Sequence, residues 1–528
     1  MHDPALAAEA LALLPPDIAT SPLFSGDLAP VPPSRRTWNT YAFAALWISM
    51  CHCIPTYTLA GGMIAAGMSW WQALFTIGVG TLIVLVPILL NAHPGTKYGL
   101  PFPVLARSSY GTVGANFPAM LRAVVACGWF GINCYFGGEG VSTVIEAIWP
   151  GWATLGGGVL ILGYPLPHML AFLVFWALNV FVIYRGMEFI RVFENWAAPL
   201  VLVMAAGLLV WVVARAGFGE MLSQPSTLDT NAKFFAVFFP WMTGVVGFWS
   251  TLALNIPDFT RFGKGQKEQM LGQTLGLPTT MILFSAMAVI ITSAARELLH
   301  GLPEDKLAEL WDPVKILAWM TTANTPPGLE APLFASGATR VMVAILGVIG
   351  VGVASVSVNI AANVVSPAND IANLAPRKIS FKTGGLITAI AGLLFVPWKL
   401  ISHGVMDWLI GYSALLGPIC GIMVVDYWIL RKKTLDVPEL YRPNGKFAGT
   451  NWIAVGATIV AILPNVPGFL EQVKLVAPIH WTLHWLYVFA WFVGFGVAGG
   501  LYWLGMTMTK HPSLAVTSSG TSAAPPQS

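Results

Sequence analysis

Apolar segments of about 20 residues recur along the whole chain, and no other feature constrains the fold as strongly. A helix needs about 20 apolar residues to cross the hydrocarbon of a bilayer, whereas a buried helix of a soluble protein needs fewer. The composition agrees with this reading, because 56% of the 528 residues are hydrophobic and 10% are charged. Soluble domains have roughly 25% charged residues. The sequence therefore predicts an all-α polytopic membrane protein.

Twelve segments are long and apolar enough to be transmembrane helices. They cover 41–66, 71–91, 118–142, 168–184, 193–214, 234–255, 277–295, 337–365, 384–398, 405–429, 450–466 and 483–505. Lys and Arg are concentrated in the loops on the side of both termini, which is typical of the cytoplasmic side. We therefore expect a multi-pass protein of the cell (inner) membrane with both termini in the cytoplasm. The net charge of +3 reflects this topology and indicates no nucleic-acid partner.

The two ends of the chain differ from the apolar segments in composition. Residues 1–36 are rich in Pro and polar residues, and residues 507–528 run to Ser, Thr, Ala and Pro. Both are predicted to be disordered cytoplasmic tails. The first residues do not resemble a signal peptide, so the first span is expected to direct insertion. All five cysteines lie inside predicted spans, which argues against an extracellular disulfide framework.

Two proline-containing runs occupy matching positions in the first and sixth spans. Ile-Pro-Thr-Tyr-Thr at 54–58 is echoed by Ile-Pro-Asp-Phe-Thr at 256–260, and proline kinks or unwinds a helix interior. Interrupted helices at matching positions of two halves indicate an inverted-repeat transporter. We therefore expect repeats at 37–214 and 234–429, followed by two more spans at 450–506. The alternative is a pair of proline kinks that serve only packing.

Polar and aromatic residues inside the spans predict a binding slot. Trp129 and Asn133 share a face of the third span, and Trp249 lies near the middle of the sixth. A polar stripe runs along the eighth span at Ser355, Asn359, Asn363 and Ser366. Indole rings stack on flat rings and Asn amides pair with them, so the slot suits a planar heterocycle. Against this, Asn and Ser also join membrane helices, and Trp is common at the bilayer interfaces.

Six runs in order resemble the nucleobase:cation symporter family, the bacterial hydantoin, allantoin, uracil and cytosine permeases. They are SMCHCIPTYTLAGG, LLNAHPGTKYGLPFPVLARSSYG, GWFGIN, NIPDFTRF, NIAANVVSPAND and LLGPICGIMVVDYWILRKK, and the resemblance covers roughly 37–450. It implies a leucine-transporter-like fold with a five-plus-five inverted repeat and two extra C-terminal helices. It also implies that Trp129 and Trp249 sandwich the heterocycle and that Asn133 and Asn363 bond its edges. Cys53 and the backbone of Phe248 would border the site, with Asn359 beside it.

The chain departs from the family pattern at two places. Residue 133 is Asn where hydantoin-transporting relatives have Gln, which leaves the substrate open. The family's sodium site corresponds to Ser49, His52, Ala354, Ser357 and Val358. Valine offers no oxygen to sodium, so the site is degenerate. Proton coupling is then favoured over sodium, with His52 as a titrating group or, equally, as a neutral hydrogen-bonding residue.

Three charged residues lie outside the predicted slot. Glu139 is expected in a structural or vestibule role, and Asp258 and Arg261 are expected to form an inner-gate or loop ion pair.

The sequence gives less support to functions other than secondary transport. No nucleophile with a base and no metal-ligand cluster is evident, so the chain is predicted not to be an enzyme and to need no cofactor. A channel or a non-transporting sensor on the same scaffold stays open. Within transport, a purine or a vitamin such as thiamine or pyridoxine stays possible. The expected partners are a small heterocyclic substrate and the lipid bilayer, with no obligatory protein partner.

Overall fold

The protein is described here from a computed structural model. It covers residues 4–185, 187–299, 302, 304–321, 337–400 and 405–514. Almost all regular structure in these residues is helical, apart from a short antiparallel hairpin formed by β1 (Leu160–Ile161) and β2 (Tyr164–Pro165).

The helices are numbered along the chain. They are α1 (Pro4–Ala12), α2 (Thr40–Cys51), α3 (Ile54–Ala65), α4 (Trp70–Tyr98), α5 (Phe102–Tyr110), α6 (Asn116–Ile148), α7 (Leu166–Arg185), α8 (Met187–Ala216), α9 (Asn231–Asn255), α10 (Pro257–Thr260), α11 (Gln266–Leu298), α12 (Pro313–Thr321), α13 (Gly337–Asn363), α14 (Val365–Leu374), α15 (Phe381–Leu394), α16 (Pro397–Leu400), α17 (Val405–Val424), α18 (Trp452–Ile462), α19 (Val466–Gln472), α20 (Trp481–Val488) and α21 (Ala490–Met508). A π-helical segment, Val425–Leu430, continues α17.

The all-α polytopic class is confirmed. Among the described residues, nine helices are long and apolar enough to cross a membrane, and eleven if each of two bent pairs counts as one span. The bent pairs are α2 with α3 and α20 with α21, at angles of 60° and 82°. The remaining predicted span, 384–398, corresponds to α15, which has 14 residues. At 1.5 Å per residue this is about 21 Å, shorter than the hydrocarbon core.

The helices pack as two groups that face each other. One group contains α2, α4, α9 and α11, and the other contains α6, α7, α13, α14 and α15. Each group combines helices from residues 37–214 with helices from residues 234–429. The division into inverted repeats stays a prediction. The C-terminal helices α18 and α21 pack on α17. The cavity described below lies between the two groups.

The first span is interrupted as predicted. Helix α2 ends at Cys51, His52 and Cys53 leave the helical conformation, and α3 starts at Ile54. Pro55 occupies the first turn of α3, where its missing N–H costs no helical hydrogen bond. The proline thus starts a new helix instead of kinking a continuous one.

The predicted interruption of the sixth span does not occur within its long helix. Helix α9 runs without a break for 25 residues to Asn255. Pro257 starts the short terminal helix α10, and Ile256 between the two keeps helical dihedrals. The proline leaves the Ala253 carbonyl without its helical partner, and Asn91 Nδ2 donates to this carbonyl instead, at 2.7 Å.

A break that the sequence reading missed lies in the eighth span. Val364 separates α13 from α14 with φ −120° and ψ −51°. Pro367 explains its position, because a proline cannot donate a hydrogen bond to the carbonyl four residues earlier, which here belongs to Asn363. Arg122 Nη2 donates to the neighbouring Ala362 carbonyl at 3.0 Å, so part of the opened backbone is bonded again. The break places Asn363 at a helix end.

The prediction that residues 1–36 are disordered is wrong for the described part, 4–36. This N-terminal segment lies across the end of the helix bundle at which the first span starts. Its buried apolar side chains include Ile18, Phe24 and Leu28. Polar contacts connect it to distant loops, such as Val31 N to Gly99 O at 2.8 Å. Although the segment is rich in Pro, it contains enough apolar residues to pack against the bundle.

Further polar contacts extend along the same segment. An ion pair joins Asp17 to Arg442 at 2.8 Å, and the Arg442 hydrogen bond holds the pKa of Asp17 below its usual value. The hydroxyl of Tyr441 donates to Leu28 O at 2.7 Å.

The C-terminal end is partly folded as well. Within the predicted tail 507–528, Ser513 is buried and its carbonyl accepts from Arg431 Nη1 at 2.7 Å. Residues 515–528 lie outside the described residues. The five cysteines are free and buried, as expected for cysteines within spans.

Arg107 connects the N-terminal segment to the bundle. Its guanidinium is fully buried and donates from Nη1 to Leu23 O at 3.2 Å and to Leu440 O at 3.1 Å. Nη2 donates to Asn373 Oδ1 at 2.6 Å. Burial lowers the pKa of Arg107 to about 10, so the side chain stays charged at neutral pH.

Replacing Arg107 with Leu is expected to destabilise the protein by about 3 kcal/mol, because two buried acceptors and one partly buried acceptor lose their donor. Thermal unfolding of the purified protein in detergent measures the change. Lys233→Leu removes a Lys whose ion pair with Asp229 is exposed, and serves as a control with little expected effect. An equal unfolding midpoint in both variants would contradict the role assigned to Arg107.

Candidate functional site

One cavity lies between the two helix groups, at the breaks of the first and eighth spans. Its empty volume is about 360 Å³. The lining residues are Met50, Cys53, Pro55, Trp129, Asn133, Phe248, Trp249, Thr251, Leu252, Val358, Ala362 and Asn363. Six of the seven residues predicted to contact a substrate are therefore brought together, namely Cys53, Trp129, Asn133, Phe248, Trp249 and Asn363.

Aromatic rings hold each other edge to face around the cavity. Trp129 of α6 lies 5.6 Å from Phe248 of α9 between ring centroids, at an interplanar angle of 76°. Phe248 in turn lies 4.9 Å from Trp249, and Trp47 supports Trp249 at 5.2 Å. Edge-to-face contacts restrain the orientation of these rings. Both predicted tryptophans are nearly fully buried inside the helix bundle.

Two amides from opposite sides of the site reach this cavity. Asn133 stands one turn after Trp129 on α6, and its Nδ2 donates to Trp129 O at 3.1 Å. Asn363 is the last residue of α13, and its Nδ2 donates to Asn359 Oδ1 at 3.2 Å. In both residues the Oδ1 atom has no hydrogen bond within the described residues. The cavity thus combines flat aromatic surfaces with amide oxygens.

Asn359, which was predicted to contact the substrate, does not line the cavity. It is fully buried one helical turn before Asn363, and its Nδ2 donates to Asn179 Oδ1 at 3.1 Å. Two residues four apart lie on one face of a helix, but one lies a full turn farther along the helix than the other. Asn359 therefore lies behind Asn363, away from the cavity.

The predicted cation-site residues lie at the first break and on α13 next to it. The hydroxyl groups of Ser49 and Ser357 hydrogen bond directly to each other. Ala354 lies one turn earlier on α13, and Val358 presents an apolar side chain at the cavity. His52 at the break has its Nδ1 2.5 Å from Ile48 O, and its ring lies 4.4 Å from that of Phe284. Among the described residues no group of three His, Cys, Asp or Glu side chains suited to a metal ion is found.

Glu139 lies toward the end of α6 that is opposite the termini, and it joins three other segments. Its Oε1 accepts from the hydroxyl of Tyr164 and lies 2.7 Å from His168 Nδ1, while Oε2 pairs with Lys315 Nζ at 3.1 Å. Next to this cluster Asp312 Oδ1 accepts from Val314 N at 2.8 Å, and burial raises the pKa of Asp312 to about 6. The expected structural or vestibule role agrees with this position.

Asp258 and Arg261 do not form the predicted direct ion pair. Asp258 Oδ1 accepts from Phe102 N at 3.1 Å and from Asn369 Nδ2 at 3.2 Å. Arg261 Nη1 donates to Asp27 O at 3.0 Å. A spacing of three residues allowed the pair, but the N-terminal segment, which was expected to be disordered, supplies the partner of Arg261.

Sequence reasoning missed several lining residues and the amide behind them. Met50, Thr251, Leu252 and Ala362 are ordinary residues of apolar helices, and only the packing shows that they face the cavity. Asn179 is a single polar residue in the apolar run of α7, and this could have marked it as a buried hydrogen-bonding group.

The comparisons with known proteins agree with one another. Residues 30–494 match the family described as permease for cytosine/purines, uracil, thiamine, allantoin. The allantoin permease of Bacillus subtilis (strain 168) is 41% identical over 500 residues, which cover 94% of this chain and 95% of that protein. The purine-uracil permease of Arabidopsis thaliana is 40% identical over 509 residues, which cover 94% and 80%.

A solved structure shares the fold. It is that of Mhp1, a nucleobase-cation-symport-1 family transporter in a closed conformation with bromovinylhydantoin bound. It is 23% identical with a TM-score of 0.70, and the match covers 93% of this chain and 97% of that one.

Proposed function

Because the chain belongs to the family of permeases for cytosine/purines, uracil, thiamine and allantoin, we propose that it imports a planar nitrogen heterocycle of the uracil, hydantoin, allantoin or cytosine type by secondary active transport. Membership in this family makes it a multi-pass membrane transporter of heterocycles and not an enzyme. One observation carries the proposed substrate class, the cavity that combines Trp129 and Trp249 with the amides of Asn133 and Asn363.

The chemistry of the cavity supports a flat polar ring as its occupant. Indole faces provide stacking surface, and amide groups bond the alternating N–H and C=O groups of such rings. A purine is the second candidate, because the Arabidopsis relative carries purine in its name.

The proposed mechanism is alternating access between the two helix groups. The cavity lies between them and beside two helix breaks, which are the places where a helix can change direction at low cost. The proposed topology keeps the repeats at 37–214 and 234–429 and the two further spans at 450–506. Both termini lie in the cytoplasm and the protein in the cell (inner) membrane, as the positions of Lys and Arg indicate.

Symport with a proton is proposed over symport with sodium. A hard cation such as sodium depends on oxygen ligands, and Val358 stands where the family pattern has a hydroxyl. The two remaining hydroxyls, of Ser49 and Ser357, bond each other. His52 lies at the same break and is the proposed titrating group, since imidazole changes charge near neutral pH.

Uptake of radiolabelled uracil, cytosine, hydantoin and allantoin into cells that express the protein tests the proposal. Saturable uptake of at least one ring is expected, reduced by an uncoupler and indifferent to sodium. Cells with the empty vector provide the background. Accumulation of the solute beyond its electrochemical equilibrium distinguishes a symporter from a channel. Absence of uptake for all four rings would contradict the proposed substrate class.

Replacing Trp129 or Trp249 with Ala is expected to weaken binding of the transported ring by about 1–3 kcal/mol, by analogy with base–aromatic stacking. Competition for uptake of the labelled ring gives the affinities. Trp452→Ala removes a tryptophan that is 74% exposed on the outside of the bundle and should leave the affinity unchanged. Wild-type affinity in both cavity variants would exclude a stacking site.

Val358→Thr restores a hydroxyl to the degenerate cation site and is expected to make uptake sensitive to sodium. Initial uptake rates with sodium and with choline measure the effect. Val356→Thr adds the same hydroxyl to a buried position on α13 that does not line the cavity, and no sodium effect is expected there. A wild type that already depends on sodium would refute the argument from the missing ligand.

A further inference from the structure

Three asparagines form a row of hydrogen bonds that starts outside the cavity and ends at its wall. Asn179 Nδ2 donates to Phe175 O at 2.9 Å, Asn359 Nδ2 donates to Asn179 Oδ1 at 3.1 Å, and Asn363 Nδ2 donates to Asn359 Oδ1 at 3.2 Å. Asn179 lies on α7 and the other two on α13. All three side chains are buried, so no bulk water competes for these bonds.

The donor-to-acceptor direction of these hydrogen bonds is set by the Phe175 carbonyl, where the row starts. A backbone carbonyl only accepts hydrogen bonds, so Asn179 has to turn its NH₂ group toward Phe175 O and its Oδ1 toward Asn359. Asn359 then has to donate to Asn179 and accept from Asn363. Rotating any one amide by 180° would oppose two oxygens or two NH₂ groups, and buried hydrogen bonds would be lost. The orientation of Asn363 thus follows from that of Asn359, for which Asn179 Oδ1 is the nearest acceptor and Phe130 O a more distant one.

At the cavity this order exposes an oxygen. The NH₂ group of Asn363 is directed at Asn359, so Oδ1 is the atom left for a ligand. Asn133 is oriented in the same sense, because its NH₂ group donates to Trp129 O at 3.1 Å. Both amides belong to residues that line the cavity. A ligand between α6 and α13 therefore meets two amide oxygens, and each of them accepts from an N–H group.

We propose that Asn179 is a specificity-determining positioning residue that holds the Asn363 oxygen toward the cavity, so that the site selects rings with an N–H donor on each side of one ring carbonyl. This rests on the proposed function and narrows its substrate class. Uracil, hydantoin and allantoin carry this N–H, C=O, N–H arrangement. Cytosine carries N1–H and an exocyclic NH₂ group, but its N3 has a lone pair where uracil has N3–H, and in the same pose this lone pair would face an amide oxygen. A site built to accept an N–H rejects a ring that lacks it.

The contribution of Asn179 is separable from those of the other neighbours of Asn359. Phe130 O and Cys134 Sγ lie 3.4 and 3.5 Å from Asn359 Nδ2, farther than the 3.1 Å to Asn179 Oδ1. Without Asn179 the Asn359 amide loses its shortest bond, and Asn363 gains freedom to turn its NH₂ group to the cavity. That amide then accommodates cytosine. Loss of Asn179 thus changes the preference between rings and not simply the strength of binding.

The test compares dissociation constants of uracil and cytosine for the purified full-length protein, read from the quenching of its tryptophan fluorescence. The wild type is expected to bind uracil at least about tenfold more tightly than cytosine, a difference of about 1.4 kcal/mol. In Asn179→Leu the ratio should fall to about threefold or less, with cytosine binding gained. A merely structural loss would weaken both rings together.

Two further variants keep the test decisive. Asn465 is a buried asparagine of the C-terminal part whose Nδ2 also bonds the carbonyl four residues earlier, Ala461 O at 3.4 Å, and Asn465→Leu makes the same chemical change away from the cavity. It should keep the wild-type ratio. Asn179→Thr retains a hydroxyl that donates to Phe175 O and accepts from Asn359, so its ratio should lie closer to that of the wild type than the ratio of Asn179→Leu.

Each outcome has one reading. Equal affinity of the wild type for uracil and cytosine, or an unchanged ratio in Asn179→Leu, overturns the role of Asn179 and leaves the proposed function standing. A ratio in Asn179→Thr as low as in Asn179→Leu also counts against it. If the wild type binds no ring of the proposed class, the proposed function fails and this inference fails with it.

Discussion

The scarcity of water inside a bilayer governs where this chain can leave the helical conformation. An unbonded backbone group in hydrocarbon costs several kcal/mol, so irregular backbone survives only where protein or a cavity covers it. The interruptions at His52–Cys53 and at Val364 meet this condition, because Cys53 and Asn363 both line the same cavity. One break belongs to each helix group. The cavity therefore lies beside both interruptions, which under the proposed mechanism are the places where the two groups move relative to each other.

The same constraint acts on the side chains around the cavity and connects stability to specificity. A buried amide has to satisfy its NH₂ group within the protein, and the acceptors in reach are mostly backbone carbonyls of the same helix. Asn133 bonds Trp129 O in this way and Asn179 bonds Phe175 O. Once the donors are directed at carbonyls, the oxygens are what remains for a ligand. Under the proposed function, the preference for N–H donors is thus a consequence of satisfying buried hydrogen bonds.

Much of this arrangement is predictable from sequence because local spacing determines it. Apolar length predicted most of the spans, and four-residue spacing put Trp129 beside Asn133. The same spacing failed for Asn359, since depth along a helix depends on the partner helix, here α7 with Asn179. The N-terminal segment was misread because Pro-rich composition says nothing about where Ile18 and Leu28 find apolar partners. These features depend on packing between residues that are far apart in the chain, and a single sequence does not show that packing directly.

The hydroxyl pair of Ser49 and Ser357 bears on how an ion can act in this chain. These residues belong to α2 and α13, hence to the two opposing helix groups. The two hydroxyl groups bond each other, so a hydrogen bond links the two helix groups at this point. The side chain of Val358, which lines the cavity nearby, carries no oxygen. Under the proposed proton coupling, protonation of a nearby titratable group changes the equilibrium between the two access states. His52 lies at the same break and is the proposed group.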